Sequence, residues 1–163
     1  MSADTIVNVA KFAWDVIKDG KPAADIANST ANAVPQVDDW QTLTETRGPN
    51  SYRIKYHNSF VWPFDDYDHV QFEILLKWDW GARYHGGGAF IPNIWVEVPE
   101  VFAGWPWSVN IGLTSQHPTN AGPANAPLAR IPVTVKGTAG SGAELYHLEW
   151  GFVLFGSGES TTG

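Results

Sequence analysis

The segment from Tyr84 to Gly88 reads Tyr-His-Gly-Gly-Gly and is the closest approach to a catalytic motif in this sequence. In esterases a His-Gly-Gly-Gly loop supplies donors to an oxyanion and acts with a serine in a Gly-x-Ser-x-Gly turn. No serine of this chain has those glycine neighbours. We therefore interpret His85 and its glycines as a turn between two strands.

The histidines and acidic residues do not have the spacing of a metal site. No His-Glu-x-x-His pair occurs, and the absence of cysteine excludes thiolate ligands. His69 lies near Asp65, Asp66 and Asp68, but this segment lacks the glycine and the distal glutamate of a calcium loop. A solvated acidic turn is the better interpretation. The sequence therefore predicts a non-enzymatic protein with no metal and no cofactor.

Aromatic residues beside prolines point more directly to a function. One segment places Trp62, Phe64 and Tyr67 around a proline, and another places Trp105 and Trp107 on either side of one. Because proline is disfavoured inside strands, these rings are expected at turns, with exposed faces at one end of the fold. Such rings suit a lipid headgroup or the face of a sugar, and we predict that they bind one of these ligands. The alternative is that they close the end of the core.

The net charge of -7, with ten lysines and arginines scattered singly, argues against nucleic acid as a partner. Strongly anionic lipids would also repel an acidic chain, so a membrane contact would depend on apolar surface or zwitterionic headgroups. The sequence contains neither an apolar run of about 20 residues nor a recognisable signal peptide. We expect a soluble protein whose localisation stays open, and secretion would need a route without such a peptide.

An amphipathic helix is predicted from Asp4 to Asp19. On a helical wheel its polar residues occupy one wedge, and apolar residues fill the remaining circumference. This apolar arc is wider than packing on one sheet requires, so part of it is expected to meet lipid, another protomer or a second, alanine-rich helix between Pro22 and Pro35. The alternative is a helix that is docked in the core of its own chain or of a partner. The side chains predicted to face a membrane or an oligomer partner are Ile6, Val9, Phe12, Ala13, Trp14 and Ile17.

From Trp40 onward the hydrophobic period changes from helical to the period of two that is typical of strands. Apolar alternation interrupted by glycine, proline and asparagine clusters predicts an antiparallel β-sandwich of about seven strands. The 163 residues are expected to form a single domain, with a helical segment at 1–35 and the sandwich at 40–156. The residues predicted to be buried are Ile54, Phe72, Ile74, Leu76, Ile111, Val133, Leu148 and Phe152.

A cysteine-free chain of this length, with an amphipathic N-terminal helix and a sandwich bearing aromatic loops, resembles the actinoporin pore-forming toxins. Pro63-Phe64-Asp65 matches the Pro-aromatic-Asp element of that family, and Tyr67 falls in its aromatic cluster. The element lies earlier in the chain than in the family, and the isoelectric point of about 5.0 departs from its basic members. The resemblance implies recognition of sphingomyelin or phosphocholine, with N-terminal helices of several protomers lining a pore.

The leading hypothesis is a membrane-active binding protein of the cytolysin type, which recognises a lipid headgroup through its aromatic loops and inserts or docks its N-terminal helix. One alternative is a lectin-like sandwich in which the same rings stack on carbohydrate. A second alternative is a self-assembling structural subunit whose helix makes the contacts between protomers. A homo-oligomer is expected as well.

Overall fold

The computed structural model describes residues 6–7, 17–18, 21–22, 30–61 and 66–163. A short 3₁₀ turn at Trp40–Thr42 precedes the first long strand. The strands, in chain order, are β1 (Ile6–Val7), β2 (Ile17–Lys18), β3 (Lys21–Pro22), β4 (Thr30–Pro35), β5 (Arg47–Val61), β6 (Asp66–Trp80), β7 (Ala82–Tyr84), β8 (Gly87–Ala103), β9 (Ser108–Ser115), β10 (Thr119–Asn120), β11 (Ala129–Gly140), β12 (Leu145–Phe155) and β13 (Ser160–Thr162).

These strands form two antiparallel sheets around one core. Sheet I has the order β1-β4-β8-β6-β5, with β7 paired to β8. Sheet II has the order β13-β12-β11-β9-β2-β3, with β10 paired to β11. Buried side chains from both sheets belong to a single hydrophobic cluster. The prediction of a mainly β, antiparallel sandwich is confirmed.

The core is made by alternate side chains of the long strands. In β6 the even-numbered residues from Val70 to Trp78 are buried, and in β11 the odd-numbered residues from Ala129 to Ala139 are buried. Each sheet therefore turns one face inward, as the period of two requires. All residues predicted to be buried are buried except Leu148, which is half-exposed. Leu148 lies in β12 outside the only part of that strand, Phe152–Leu154, that pairs with β13.

A bulge in β8 controls which of its side chains reach the outer face of sheet I. The pairing of β8 with β6 shifts by one residue between Glu97 and Glu100. Because β8 has one extra residue here, the side chains that face outward change from one parity of residue number to the other. Trp95 and Glu97 before the bulge therefore share the outer face with Glu100 and Phe102 after it.

The predicted helix from Asp4 to Asp19 is wrong wherever the structure describes it. Ile6–Val7 pairs with the end of β4 in sheet I, and Ile17 pairs with Val109 of β9 in sheet II. The segment is rich in β-branched residues, which lose rotamer freedom in a helix and pack well on a sheet. At the four described positions, Ile6–Val7 and Ile17–Lys18, the backbone is therefore that of a strand and not of a helix. The predicted helix residues outside the described ranges are Val9, Phe12, Ala13 and Trp14.

The second predicted helix, between Pro22 and Pro35, is also wrong at both of its described ends. Pro22 lies in β3, and Thr30–Pro35 forms β4 against β8. The small side chains of Ala31 and Ala33 are fully buried, so β4 lies close to β8 and to sheet II. The helix preference of alanine amounts to less than about 1 kcal/mol per residue, and tertiary packing overrides it here.

Candidate functional site

The strand ends that carry the predicted aromatic segments meet at one end of the sandwich. β8 finishes at Ala103 in sheet I and β9 begins in sheet II, so residues 104–107 cross between the sheets. The first residue of β9 is in register with Gly140, at the β11–β12 hairpin. Val70, near the start of β6, pairs with Ala103. We call this the aromatic end, made of His69, residues 102–107 and residues 141–146.

Trp105 projects into solvent from a tight turn at the aromatic end. The Trp107 N–H donates to the Gly104 carbonyl at 2.7 Å, and the Gly104 N–H donates to the His69 carbonyl at 2.9 Å. These two bonds close the turn and attach it to β6. Between them Trp105 is 81% exposed. The expectation of an exposed ring is confirmed for this residue.

Trp107 is only 6% exposed, so the same expectation is wrong two residues later. Its ring lies 4.5 Å from that of His69 on β6 and 6.0 Å from that of Tyr146 on β12, measured between ring centroids. The interplanar angles of 23° and 13° make both contacts nearly parallel stacks. Stacked rings of this kind add stability beyond the area they bury. Trp107 therefore joins the two sheets beneath the turn that exposes Trp105.

Exposed apolar side chains are concentrated at the aromatic end. Phe102 is 52% exposed and Leu145 is 62% exposed. With Trp105 and Tyr146 they make up four of the five large apolar side chains that are exposed in the described residues. The fifth, Tyr52, lies in the middle of β5 and packs against a core ring. Exposed apolar clusters on a folded protein mark surfaces that bind a partner or a membrane.

Three exposed residues of the aromatic end, Phe102, Leu145 and Tyr146, are not among the predicted ligand-binding residues. In the linear sequence they look like ordinary strand residues, and only the strand limits show that they lie at an end. A usable signal was their position beside glycine turns. Phe102 shortly precedes Gly104, and the other two follow the turn at 140–142.

The other predicted aromatic segment is described only in part. Trp62 and Phe64 lie outside the described residues. Tyr67 lies in β6, where its backbone pairs with Phe60 of β5. Since β5 ends at Val61 and β6 begins at Asp66, with four residues between them, the prediction that this segment joins two strands is confirmed.

Polar groups at the aromatic end mostly hold its own loops. The Tyr146 hydroxyl donates to Glu144 Oε2 at 3.0 Å, and the Ser141 hydroxyl accepts from the Glu144 N–H at 3.3 Å. Nearby, the Asn110 amide donates to the Thr138 hydroxyl at 3.0 Å. These groups are already hydrogen-bonded, so what this end mainly offers to a partner is apolar surface.

The opposite end of the sandwich is closed by backbone hydrogen bonds between its strands and loops. The Gly81 N–H donates to Gly156 at 2.8 Å, and the Gly156 N–H donates to Ala129 at 2.8 Å. A third bond of 2.8 Å runs from the Ala89 N–H to Pro127. We call this the closed end, made of residues 39–50, 80–89, 127–129 and 156–158.

Trp80 at the closed end is covered on several sides. The Arg47 guanidinium lies 5.6 Å from its ring centroid. Gly158 packs so closely that a Cβ atom there would come within 2.8 Å of the ring. The Asn50 amide holds the turn between β12 and β13 in place by donating to the Gly158 carbonyl at 2.8 Å. Trp80 at the closed end is therefore covered by its neighbours, whereas Trp105 at the aromatic end is exposed to solvent.

The candidate metal ligands other than Asp65, and the glycine-rich segment that the sequence singles out, lie in the described part of the chain. In these residues no three histidine, aspartate or glutamate side chains are grouped so that they could hold a metal ion. His85, with a φ of 49°, lies in the turn between β7 and β8, so the interpretation of residues 84–88 as a turn is confirmed. The same residues include no helix with the length and hydropathy needed to cross a bilayer.

Comparison with family models, with curated proteins and with solved structures finds no match to this chain.

Proposed function

We propose that this protein binds membranes through its aromatic end, with the exposed side chains of Phe102, Trp105, Leu145 and Tyr146 entering the lipid interface. The observation that supports this function is the concentration of exposed apolar side chains at one end, while the other end is closed. Aromatic side chains favour the headgroup level of a bilayer, and leucine and phenylalanine favour its apolar boundary.

The energy available from these side chains is sufficient for reversible attachment. Complete removal of a large apolar side chain from water contributes about 1.5–3 kcal/mol. Since each side chain enters the interface only in part, the four together supply roughly 4–8 kcal/mol. That range corresponds to a dissociation constant between about the millimolar and the micromolar level.

The charge of the protein decides which membrane it prefers. A net charge of -7 opposes approach to an anionic surface, whereas a zwitterionic surface has no such effect. The lipid headgroup is recognised as the resemblance to actinoporins implies, and Trp62 and Phe64 belong to the same proposed contact. An inserting helix is not part of this function, because Ile6–Val7 and Ile17–Lys18 are strands.

Co-sedimentation with phosphatidylcholine vesicles tests this function directly. The wild-type protein should partition onto these vesicles, and Trp105→Ser should weaken partitioning about 5- to 30-fold, because one partly transferred side chain contributes about 1–2 kcal/mol. Tyr52→Ser is the matched control, because it removes the exposed ring that lies away from the aromatic end. That variant should bind like the wild type, provided that circular dichroism shows it to be folded.

Two outcomes contradict the proposal. The first is no partitioning of the wild-type protein onto phosphatidylcholine vesicles at any lipid concentration. The second is equal weakening by Trp105→Ser and Tyr52→Ser, since binding would then not depend on the aromatic end. Stronger binding to vesicles rich in phosphatidylserine would overturn the charge argument alone.

A further inference from the structure

The outer face of sheet I carries a polar depression that the proposed membrane contact does not use. Its cavity of about 210 Å³ is lined by side chains from three neighbouring strands. They come from adjacent cross-strand rows, so they form a compact block. We call this block the outer patch, made of Lys55, His57, Gln71, Glu73 and Glu100.

Ion pairs hold the border of the outer patch in place. Arg53 Nε lies 2.8 Å from Glu73 Oε1. Further along the face, Lys77 Nζ lies 2.9 Å from Glu97 Oε2, and the Trp95 indole donates to Glu97 Oε1 at 3.2 Å. The hydrogen bond from Lys77, and after it the one from Trp95, lower the pKa of Glu97. The charged side chains of the border are therefore already paired with one another before a ligand binds.

Within this border three polar side chains have no internal partner. Among the described residues, neither hydrogen bonds nor ion pairs engage Lys55, Gln71 or Glu100. Together they offer an ammonium donor, an amide that both donates and accepts, and a carboxylate acceptor. The lysine and Glu100 carry opposite charges, and Arg53 balances Glu73. The outer patch thus has many hydrogen-bonding groups without a net preference for an anion or a cation.

Aromatic rings lie at both limits of this surface. The exposed Phe102 is in register with Gln71, and Trp95 lies seven residues earlier on the same face of β8. At the rise of a strand, seven residues correspond to roughly 20 Å. The bulge between Glu97 and Glu100 is what keeps both rings on this face. An extended ligand can therefore contact a ring at each limit and polar groups between them.

From this arrangement we infer that the outer face of sheet I binds a neutral oligosaccharide. Sugar hydroxyls donate and accept hydrogen bonds, which matches the unpaired groups of Lys55, Gln71 and Glu100. Sugar rings also have apolar faces that pack on aromatic rings such as Trp95 and Phe102. A phosphate or sulfate ligand would require an excess of basic side chains, and the outer patch has none.

This inference shares Phe102 with the membrane proposal, but its polar contacts come from residues that the membrane proposal does not use. Phe102 borders both surfaces, so Gln71 and Glu100 are the positions that separate the two proposals. Both are exposed, and their substitution should leave the fold intact. The glycan can be free or carried by a lipid, and the experiment must separate these sources.

An array of neutral and sulfated oligosaccharides immobilised without lipid is the first measurement. The protein should bind neutral members, and the strongest of them is then titrated in solution by calorimetry. Gln71→Ala and Glu100→Ala should each weaken this binding about tenfold, because each removes a hydrogen-bonding partner of the sugar. The matched controls Thr134→Ala and His147→Ala, on sheet II, should stay within about twofold of the wild type.

Trp105→Ser separates this inference from the membrane proposal. It should leave the calorimetric affinity unchanged while it weakens partitioning onto phosphatidylcholine vesicles, and Gln71→Ala should show the reverse pattern. If glycan binding requires a lipid carrier, the array is blank and glycolipid vesicles bind in a Gln71-dependent manner. The inference is overturned if neither neutral glycans nor glycolipid vesicles bind, if only sulfated glycans bind, or if the sheet II variants weaken binding as much as Gln71→Ala does.

Discussion

The two ends of this sandwich use tryptophan in opposite ways. At the closed end, Trp80 is covered by Arg47 and Gly158, and backbone hydrogen bonds join the surrounding strands and loops. At the aromatic end, Trp107 bridges the sheets while Trp105, two residues away, is left in solvent. The comparison teaches that an exposed aromatic side chain can lie directly beside a buried one when the turn that carries both is held by rigid sheets.

The largest expected effect comes from adding a single methyl group at the closed end. A Cβ atom at Gly156 would overlap the carbonyl oxygen of Ala89, which is backbone and cannot move aside without breaking the sheet contact. Gly156→Ala should therefore lower the free energy of unfolding by more than about 4 kcal/mol, or prevent folding altogether. Urea denaturation followed by tryptophan fluorescence measures the change.

The same substitution at the aromatic end is the control for that prediction. A Cβ atom at Gly142 would meet nothing within 4 Å, so Gly142→Ala should change the stability by less than about 0.5 kcal/mol. Equal effects of Gly142→Ala and Gly156→Ala would show that the closed end is not packed as described.

Truncating the two tryptophans of the 104–107 turn should separate their roles. Trp107→Ala removes a buried ring that stacks on His69 and Tyr146, and it should cost about 3–5 kcal/mol of folding free energy. Trp105→Ala removes an exposed ring, and it should cost less than about 0.5 kcal/mol. Thermal unfolding of both variants is the measurement. A Trp105→Ala variant as unstable as Trp107→Ala would mean that both rings belong to the core.

Removing the cation over Trp80 should have a smaller effect. Arg47→Met keeps most of the side-chain length but loses the guanidinium, and a partly exposed cation–π contact contributes about 0.5–1 kcal/mol. Lys136→Met, on sheet II, removes a cation that lies 3.9 Å from Glu149 and should change the stability by less than about 0.5 kcal/mol. If urea denaturation gives the same loss for both variants, the contact with Trp80 adds nothing to the closed end.

The smallest expected effect is confined to alkaline solution. Partial burial and the hydrogen bond to Asp39 raise the pKa of Tyr84 at the closed end. The protonated phenol is therefore favoured in the folded state, and its contribution is complete below the ordinary tyrosine pKa of about 10. It is lost as the pH rises through the higher pKa of the folded state. In urea midpoints measured from pH 8 to 11, Tyr84→Phe should lack this part of the alkaline loss.

The variant Asp39→Ala tests the same hydrogen bond from the side of its acceptor. It removes the acceptor of the Tyr84 hydroxyl, which donates to Asp39 Oδ1 at 3.1 Å. Its alkaline loss should therefore lie between those of the wild type and Tyr84→Phe, because burial, the largest cause of the raised pKa of Tyr84, remains. Alkaline profiles of both variants that match the wild type would show that this hydrogen bond does not stabilise the closed end.

Much of the sandwich could be predicted from the sequence, because its strands bury one face each. The alternation around Phe72 and Ile74 identifies both the strand and its inner face without any knowledge of neighbours. The N-terminal segment could not be read in this way. Ile6 and Ile17 lie in two-residue strands of different sheets, too short for a period to appear. Plotted on a helical wheel, such a segment still shows a wide apolar arc, because most of its residues are apolar.

The candidate site was predictable as a region but not residue by residue. Prolines among aromatic residues located the 104–107 turn correctly, since they interrupt a strand pattern. The opposite exposure of Trp105 and Trp107 depends on which ring meets His69 and Tyr146 across the two sheets. Those partners are 38 and 39 positions away from Trp107 in the chain. No local pattern connects residues at such separations.

The sequence by itself determined the sheets, the turns and the acidic character that disfavours anionic partners, because these follow from local periodicity, turn chemistry and composition. Only the tertiary structure decided that Phe102, Leu145 and Tyr146 join Trp105 at one end, and that Lys55, Gln71 and Glu100 form one depression. Both groups are assembled by strand register across long sequence separations. Register is fixed by the packing of the whole core, so these surfaces appear only when the sheets have formed.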